Sequence, residues 1–245
     1  MNPRLSIIIP AYNEEKYIGR AIVSLRKAAA VYKRDRGEDA EIIVVDNNSA
    51  DRTSEIAKAE GAHQVVFEPV NNIGKARNAG VKAAQGEFIA FCDADNEVTE
   101  NLLVRIHDHL SDPRVAGGGT WIEPERRSLK INFFYCLWGI YVRFSGIGAG
   151  MMHCRKKDFE SFGGFDETIY VAEDVQLAYD LKKLGKPRGQ KFELTRDGWI
   201  ITSTRKIDQT PLWRMVYKLI GFAFGLQKKI RSKKYCELWY DKAAR

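Results

Sequence analysis

A chain of 245 residues, 44% hydrophobic and 29% charged, is long enough to bury one sizeable core, as one domain or as one domain with a tail, and reads as a soluble globular body. No run approaches the roughly 20 apolar residues of a spanning helix, the N-terminal residues lack the pattern of a signal peptide, and Cys92, Cys136, Cys154 and Cys236 form no C-x-x-C pair, which argues against a zinc site or disulfide framework and for a reducing, cytoplasmic setting. The net charge of +7 sits late: eleven Lys/Arg face three Asp/Glu from Arg205 to Arg245, leaving 28 basic and 29 acidic residues before them, so the body is near neutral and no nucleic-acid partner is expected.

Leu5 to Pro10 is a short continuous apolar run, and Glu41 to Asp46 is a second, β-branched one; both read as strands buried on two faces. Between them, Asn13 to Ala30 places Tyr17, Ile18, Ala21, Ile22 and Leu25 at helical spacing, with Asn13 as the expected cap. A helix over Thr53 to Ala59, a strand over Gln64 to Phe67, a helix over Gly74 to Ala84 and an apolar strand over Glu87 to Cys92 continue the alternation, which predicts an α/β fold with a mainly parallel sheet. The second half is less regular, with an aromatic stretch from Phe133 to Phe144, a Gly-rich turn at Gly146 to Gly150, the Phe162 to Glu167 segment and a helix over Ala172 to Leu184.

In such sheets ligands bind beyond the carboxyl ends of the strands. Three polar clusters belong there: Pro10-Ala11-Tyr12-Asn13-Glu14, Asp46-Asn47-Asn48-Ser49 and Asp93-Ala94-Asp95-Asn96-Glu97. Two carboxylates one residue apart at a strand end suit a hard cation such as Mg2+ or Mn2+ that keeps positions open for phosphate oxygens; the triplet alone fits an acidic turn equally well. Asp46 adds an acceptor for a base or ribose, and the Gly74-Lys75-Ala76-Arg77-Asn78 segment adds cations for phosphates.

Ser6-Ile7-Ile8-Ile9-Pro10-Ala11-Tyr12-Asn13-Glu14-Glu15, Val44-Val45-Asp46-Asn47-Asn48-Ser49, Asp93-Ala94-Asp95, Phe162-Gly163-Gly164-Phe165-Asp166-Glu167 and Glu173-Asp174-Val175, in this order, resemble family 2 glycosyltransferases over roughly residues 5 to 206. The resemblance implies a GT-A fold, a Rossmann-like sheet flanked by helices, as a catalytic domain over 1–206; the basic composition and apolar spacing after it predict a helical tail over 207–245. It implies inverting transfer of a sugar from a UDP- or GDP-sugar to a saccharide or lipid-linked acceptor. Pro10, Ala11, Tyr12, Glu14 and Asp46 would then line the nucleoside pocket, Asp93 and Ala94 would face the nucleotide, Lys75 would meet phosphate, and Asp93 and Asp95 would hold Mn2+ or Mg2+. Asp174, beside Glu173, would be the catalytic base.

The chain departs from that pattern in one respect. All four histidines precede Glu173, so the late His of many relatives is missing. Glu97 stands as a further candidate metal ligand or a plain loop acid, and Arg205 as a diphosphate clamp or the start of the basic tail. Pro211 to Ile230 reads either as an interfacial helix making peripheral membrane contact or as a helix packed on the domain. Trp138 and Tyr141 are core residues or candidates for stacking on a sugar or meeting a lipid. A nucleotidyltransferase would want a Gly- and Arg-rich loop where Pro10 to Glu14 stands, and a non-catalytic nucleotide-binding module has no use for the intact Asp93, Asp95 and Asp174.

Overall fold

The computed structural model describes residues 3–148, 150–170 and 172–211. Its first half alternates β1 (Leu5–Ala11), α1 (Ile18–Arg36), β2 (Ala40–Asp46), α2 (Thr53–Ala59), β3 (Gln64–Phe67), α3 (Ile73–Ala83) and β4 (Phe88–Phe91). The second half holds β5 (Asn96–Val98), α4 (Leu102–Ser111), β6 (Val115–Pro124), α5 (Leu129–Ser145), β7 (Met152–Arg155), α6 (Lys156–Ser161), α7 (Glu173–Gly185), β8 (Lys191–Thr202) and α8 (Arg205–Gln209).

Among the described residues these strands form one sheet in the order β3-β2-β1-β4-β7-β6-β8-β5. β1 pairs parallel with β2 and β4, β2 with β3, and β6 with β8, whereas β7 runs antiparallel to β4 and β6, and β5 to β8. Six strands thus point one way and only β7 and β5 are reversed, which bears out the mainly parallel expectation. The carboxyl ends of β1, β2, β4, β6 and β8 share one rim.

Side-chain alternation divides the core into two layers. Ile7, Ile9, Ile42 and Val44 pack with Ile18, Ile22 and Leu25 of α1 and Leu103 and Ile106 of α4. Ile8, Ile43 and Val45 face the other way, toward Ala76 and Val81 of α3 and Leu177 and Leu181 of α7. Strands buried on both faces need no polar alternation, which is why β1 and β2 read as continuous apolar runs.

α1 starts at Ile18, five residues later than the expected cap at Asn13, and runs on to Gly37, which adopts φ +69° and donates its N–H to Lys33 O at 2.9 Å. Asn13 is no helix cap: it sits at φ +53° and its Oδ1 accepts from Ala50 N at 2.8 Å, tying the loop after β1 to the loop after β2. The long-range bond has displaced the local one. The aromatic stretch forms α5, capped by Ser128, whose Oγ accepts from Ile131 N at 3.2 Å. α8 spans position 206, the expected boundary between body and tail. Of the stretch from Pro211 to Ile230, read either as an interfacial helix or as a helix packed on the domain, residues 212–230 lie outside the described residues.

Candidate active site

The loops leaving β1, β2 and β4 meet at the rim. Ala11 and Asp46 pair in register, so Pro10, Ala11, Tyr12 and Asp46 lie side by side. Asp46 is nearly buried, and its Oδ1 accepts from Ser49 N at 2.9 Å, closing the turn after β2. The neighbouring Asn47 holds the chain leading to α3, accepting from Asn72 N at 3.0 Å and donating to Val70 O at 2.6 Å. Asn72 then caps α3 through Lys75 N at 2.9 Å and donates to Glu167 O and Ile169 O at 3.0 and 3.2 Å. The segment before α7 is thereby docked on the start of α3. Lys75 lies on the same edge, 3.7 Å from Glu167.

Two arginines organise the acids. Arg77 of α3 is buried and donates from Nη1 to Glu173 Oε1 at 2.6 Å and from Nη2 to Asp93 Oδ1 at 2.9 Å. Arg205 of α8 donates from Nη2 to both carboxylate oxygens of Glu14, at 2.6 and 2.7 Å, and to Asp95 Oδ2 at 3.1 Å, with its guanidinium 4.2 Å from the centre of the Tyr17 ring. A continuous chain of charge therefore runs from Glu173 through Arg77 to Asp93, across Ala94 to Asp95, and through Arg205 to Glu14. Arg77 Nε and Arg205 Nε and Nη1 are buried N–H donors without a partner among the described residues.

Glu173 and Asp174 open α7, after Ala172 in the left-handed conformation at φ +69°. Burial raises the pKa of both carboxyls, Glu173 to about 7; Arg77 pulls the other way on each. Asp174 Oδ1 accepts from Val175 N at 2.8 Å. On α5, burial and Glu123 push the Tyr135 hydroxyl up to about 12, with Asp95 adding to it, and burial raises the Tyr141 hydroxyl, with Tyr179 and Asp174 adding to it. Trp138 and Tyr141 lie with their rings 5.3 Å apart.

Four carboxylates (Glu14, Asp93, Asp95, Glu173) thus share two guanidiniums, with Asp174 next to Glu173, a surplus of acid that a divalent cation would relieve. Oxygen donors on Asp93 and Asp95 match Mg2+ or Mn2+, which use one or two carboxylates and leave the remaining positions to phosphate and water. Among the described residues no three His, Cys, Asp or Glu side chains converge as a metal site. Asp93, Asp95 and Glu97 are therefore not a preassembled triad. β5 carries Glu97 away to Arg20 at 3.4 Å, beside a cavity of about 500 Å3 between α1 and β5. The histidines are engaged elsewhere: His109 Nδ1 lies 2.9 Å from His153 Nε2, His107 Nδ1 2.8 Å from the Tyr32 hydroxyl, and His63 Nδ1 accepts from Ile42 N at 3.0 Å.

Sequence reasoning placed Arg77 only among possible phosphate cations and did not single out Tyr135. The one available signal was an Arg in a helix that begins at the rim; its partners lie 16 and 96 residues away.

Solved structures share this architecture. The chain is similar to TarS 1-349 of S. aureus in complex with UDP-GlcNAc, with a TM-score of 0.62 at 20% identity over 89% of this chain and 65% of that one. It is similar also to the mannosyltransferase PcManGT of Pyrobaculum calidifontis in complex with GDP-Man and Mn2+, at TM-score 0.56, 21% identity and coverage of 90% and 65%. These likenesses confirm the GT-A fold. Among curated proteins, the probable glycosyltransferase YdaM of Bacillus subtilis is 36% identical over 206 residues, 75% of this chain and 47% of that protein. The uncharacterized glycosyltransferase EpsJ of the same organism is 36% identical over 110 residues, 43% of this chain and 30% of EpsJ. The chain spans about a third to a half of the length of these relatives. The Glycosyl transferase family 2 model matches residues 6–145, more than half of the chain, which therefore belongs to that family.

Proposed function

We propose that this chain transfers a sugar, with inversion at its anomeric carbon, from a UDP- or GDP-sugar to a saccharide or lipid-linked acceptor. The observation that carries the reading is the pair of arginine bridges, Arg77 between Asp93 and Glu173 and Arg205 between Asp95 and Glu14, which ties the Asp93-Ala94-Asp95 turn to the start of α7 and to the loop after β1. The UDP-GlcNAc and GDP-Man held by the two structural neighbours support a nucleotide-sugar donor.

Pro10, Ala11, Tyr12 and Asp46 receive the nucleoside, with Asp46 accepting from the base. Glu14 holds Arg205 beside Asp95, where its positive charge favours the donor's diphosphate, with Lys75 as a second cation. Asp93 and Asp95 hold Mn2+ or Mg2+, which when bound stabilises the charge that collects on the leaving diphosphate. Asp174 takes the proton of the acceptor hydroxyl as that oxygen bonds to the anomeric carbon and the bond to the diphosphate breaks. A carboxylate made more basic by burial is suited to this step. Arg77 and Glu173 position Asp174 relative to Asp93. The basic surplus after position 204 favours an anionic lipid surface near the acceptor, and vesicle co-sedimentation unchanged by removal of residues 212–245 would end that part of the proposal.

Turnover of UDP- and GDP-sugars, measured with Mn2+, with Mg2+ and with EDTA, tests the reading. Metal-dependent release of the nucleoside diphosphate is expected. Turnover indifferent to EDTA would remove the metal, and no turnover with any donor would leave a nucleotide-binding module.

A further inference from the structure

The outer ends of β6 and β8 carry a surface that the transfer step does not use. Trp121 and Trp199 pair in register across these parallel strands, so both indoles leave the same face of the sheet, 51% and 41% exposed. The backbone of Trp199 is fixed by Thr99, which donates its N–H to Trp199 O at 3.2 Å while its Oγ1 accepts from Trp199 N at 3.2 Å. The next row toward the rim is Glu123, Ile201 and Glu97, paired across β6, β8 and β5. Arg127 holds Glu123, Arg20 holds Glu97, and both carboxylates are about half in solvent.

We propose that this face binds the sugar units of an oligosaccharide acceptor that lie away from the reacting end. The inference rests on the transferase reading above. Two indoles on strands about 4.8 Å apart make a flat apolar platform. The C–H face of a pyranose ring fits such a platform, and its hydroxyls are donors for the carboxylates in the adjoining row. A lipid tail or a protein core would have to desolvate Glu123 and Glu97 without returning hydrogen bonds; a neutral polyhydroxylated chain returns them. The exposed stripe of α5 (Leu129, Phe133, Ile140, Phe144) has no such acceptors and carries no claim of this kind.

Position supports the same occupant. From Trp199, β8 needs four more residues, about 13 Å at roughly 3.3 Å each, to reach Ser203, whose N–H donates to Asp95 O at 3.3 Å. Tyr135 is within the electrostatic reach of both Glu123 and Asp95. A chain stacked on Trp199 and passing Ile201 thus arrives where Asp95 and Arg205 stand.

The full chain, titrated calorimetrically with cellohexaose, chitohexaose, maltohexaose and mannohexaose, should bind at least one of these with an affinity that falls tenfold or more in a Trp121→Ala/Trp199→Ala variant. UDP and GDP binding, measured on the same samples, should not change, which also shows that the variant is folded. Absence of binding by all four hexasaccharides, or equal binding by the variant, overturns the proposal. So does capture of the wild type, but not the variant, by phosphatidylglycerol–phosphatidylcholine vesicles, which would assign the face to lipid. Donor turnover without hexasaccharide binding defeats the platform alone; hexasaccharide binding without donor turnover defeats the transferase reading alone.

Discussion

Before Asp93 the sheet is closed. β1, β2 and β4 are buried along their whole length on both faces, and α3 lies so near β1 that Gly80 leaves no room for a side chain. After Asp93 the sheet opens at the outer ends of β6 and β8, where Trp121, Trp199 and Ile201 stand partly in solvent on one face. The closed half fixes the loops that we assign to the donor, and the open half carries the surface that we propose for an acceptor. The acids of the site belong to both, and Arg77, which comes from the first half and grips Glu173 in the second, joins them.

The sharpest way to separate the halves is chemical. Asp174→Asn should lower transfer by about 100- to 10,000-fold, the usual contribution of a positioned base, while nucleotide binding by the first half stays intact. Initial rates alongside a calorimetric UDP or GDP titration would show it. Equal loss of both would mean that Asp174 supports the donor side instead.

Breaking the link between the halves comes next. Arg77→Met leaves Glu173 buried opposite Asp93 without its counter-charge, at a cost of about 3–5 kcal/mol when the acid is ionised, read as a lowered urea midpoint at pH 8. A loss below 1 kcal/mol would make the bridge dispensable.

The same pair gives a pH dependence of definite sign. Glu173 sits at about 7 in the folded protein against an ordinary 4.5, so its contribution is fully present below 4.5 and is lost as pH rises through 7. Stability of the wild type relative to Glu173→Gln should therefore fall across that window by up to about 1.4 kcal/mol per pH unit and level off above it. Parallel curves would show that Glu173 is not held protonated by burial.

How far these features could be read in advance follows the same division. β1, β2 and β4 were legible because a strand covered on both faces is a continuous apolar run with polar ends. β6 was not, since Gly117, Gly118 and Gly119 erase alternation; at Gly117 a Cβ would lie 2.8 Å from both His153 O and Leu181 Cδ1, a demand of packing that no local pattern announces. β8 breaks its own period where Asp197 turns to φ +59° and the pairing with β6 shifts. The rim acids were legible as motifs at strand and helix ends, whereas their arginine partners were not, because ion pairs between residues 96 and 191 positions apart leave no trace in spacing.

The smallest effects test the contrast between closed and open directly, with one substitution in each half. Gly80→Ala adds one methyl group that would overlap Ile8 Cγ2 and lie 3.0 Å from Val45 Cγ2. Overpacking of this kind costs about 1–3 kcal/mol, while the better helix propensity of Ala returns up to about 1 kcal/mol, so a net loss is expected. Phe144→Ser removes a whole aromatic ring from α5, but the ring is 87% exposed, and surface changes stay within about 0.5 kcal/mol. The smaller change should thus do the greater damage in paired urea titrations. If Phe144→Ser instead costs more than 1 kcal/mol, the α5 stripe is covered in solution, and the second half is closed by something beyond the described residues.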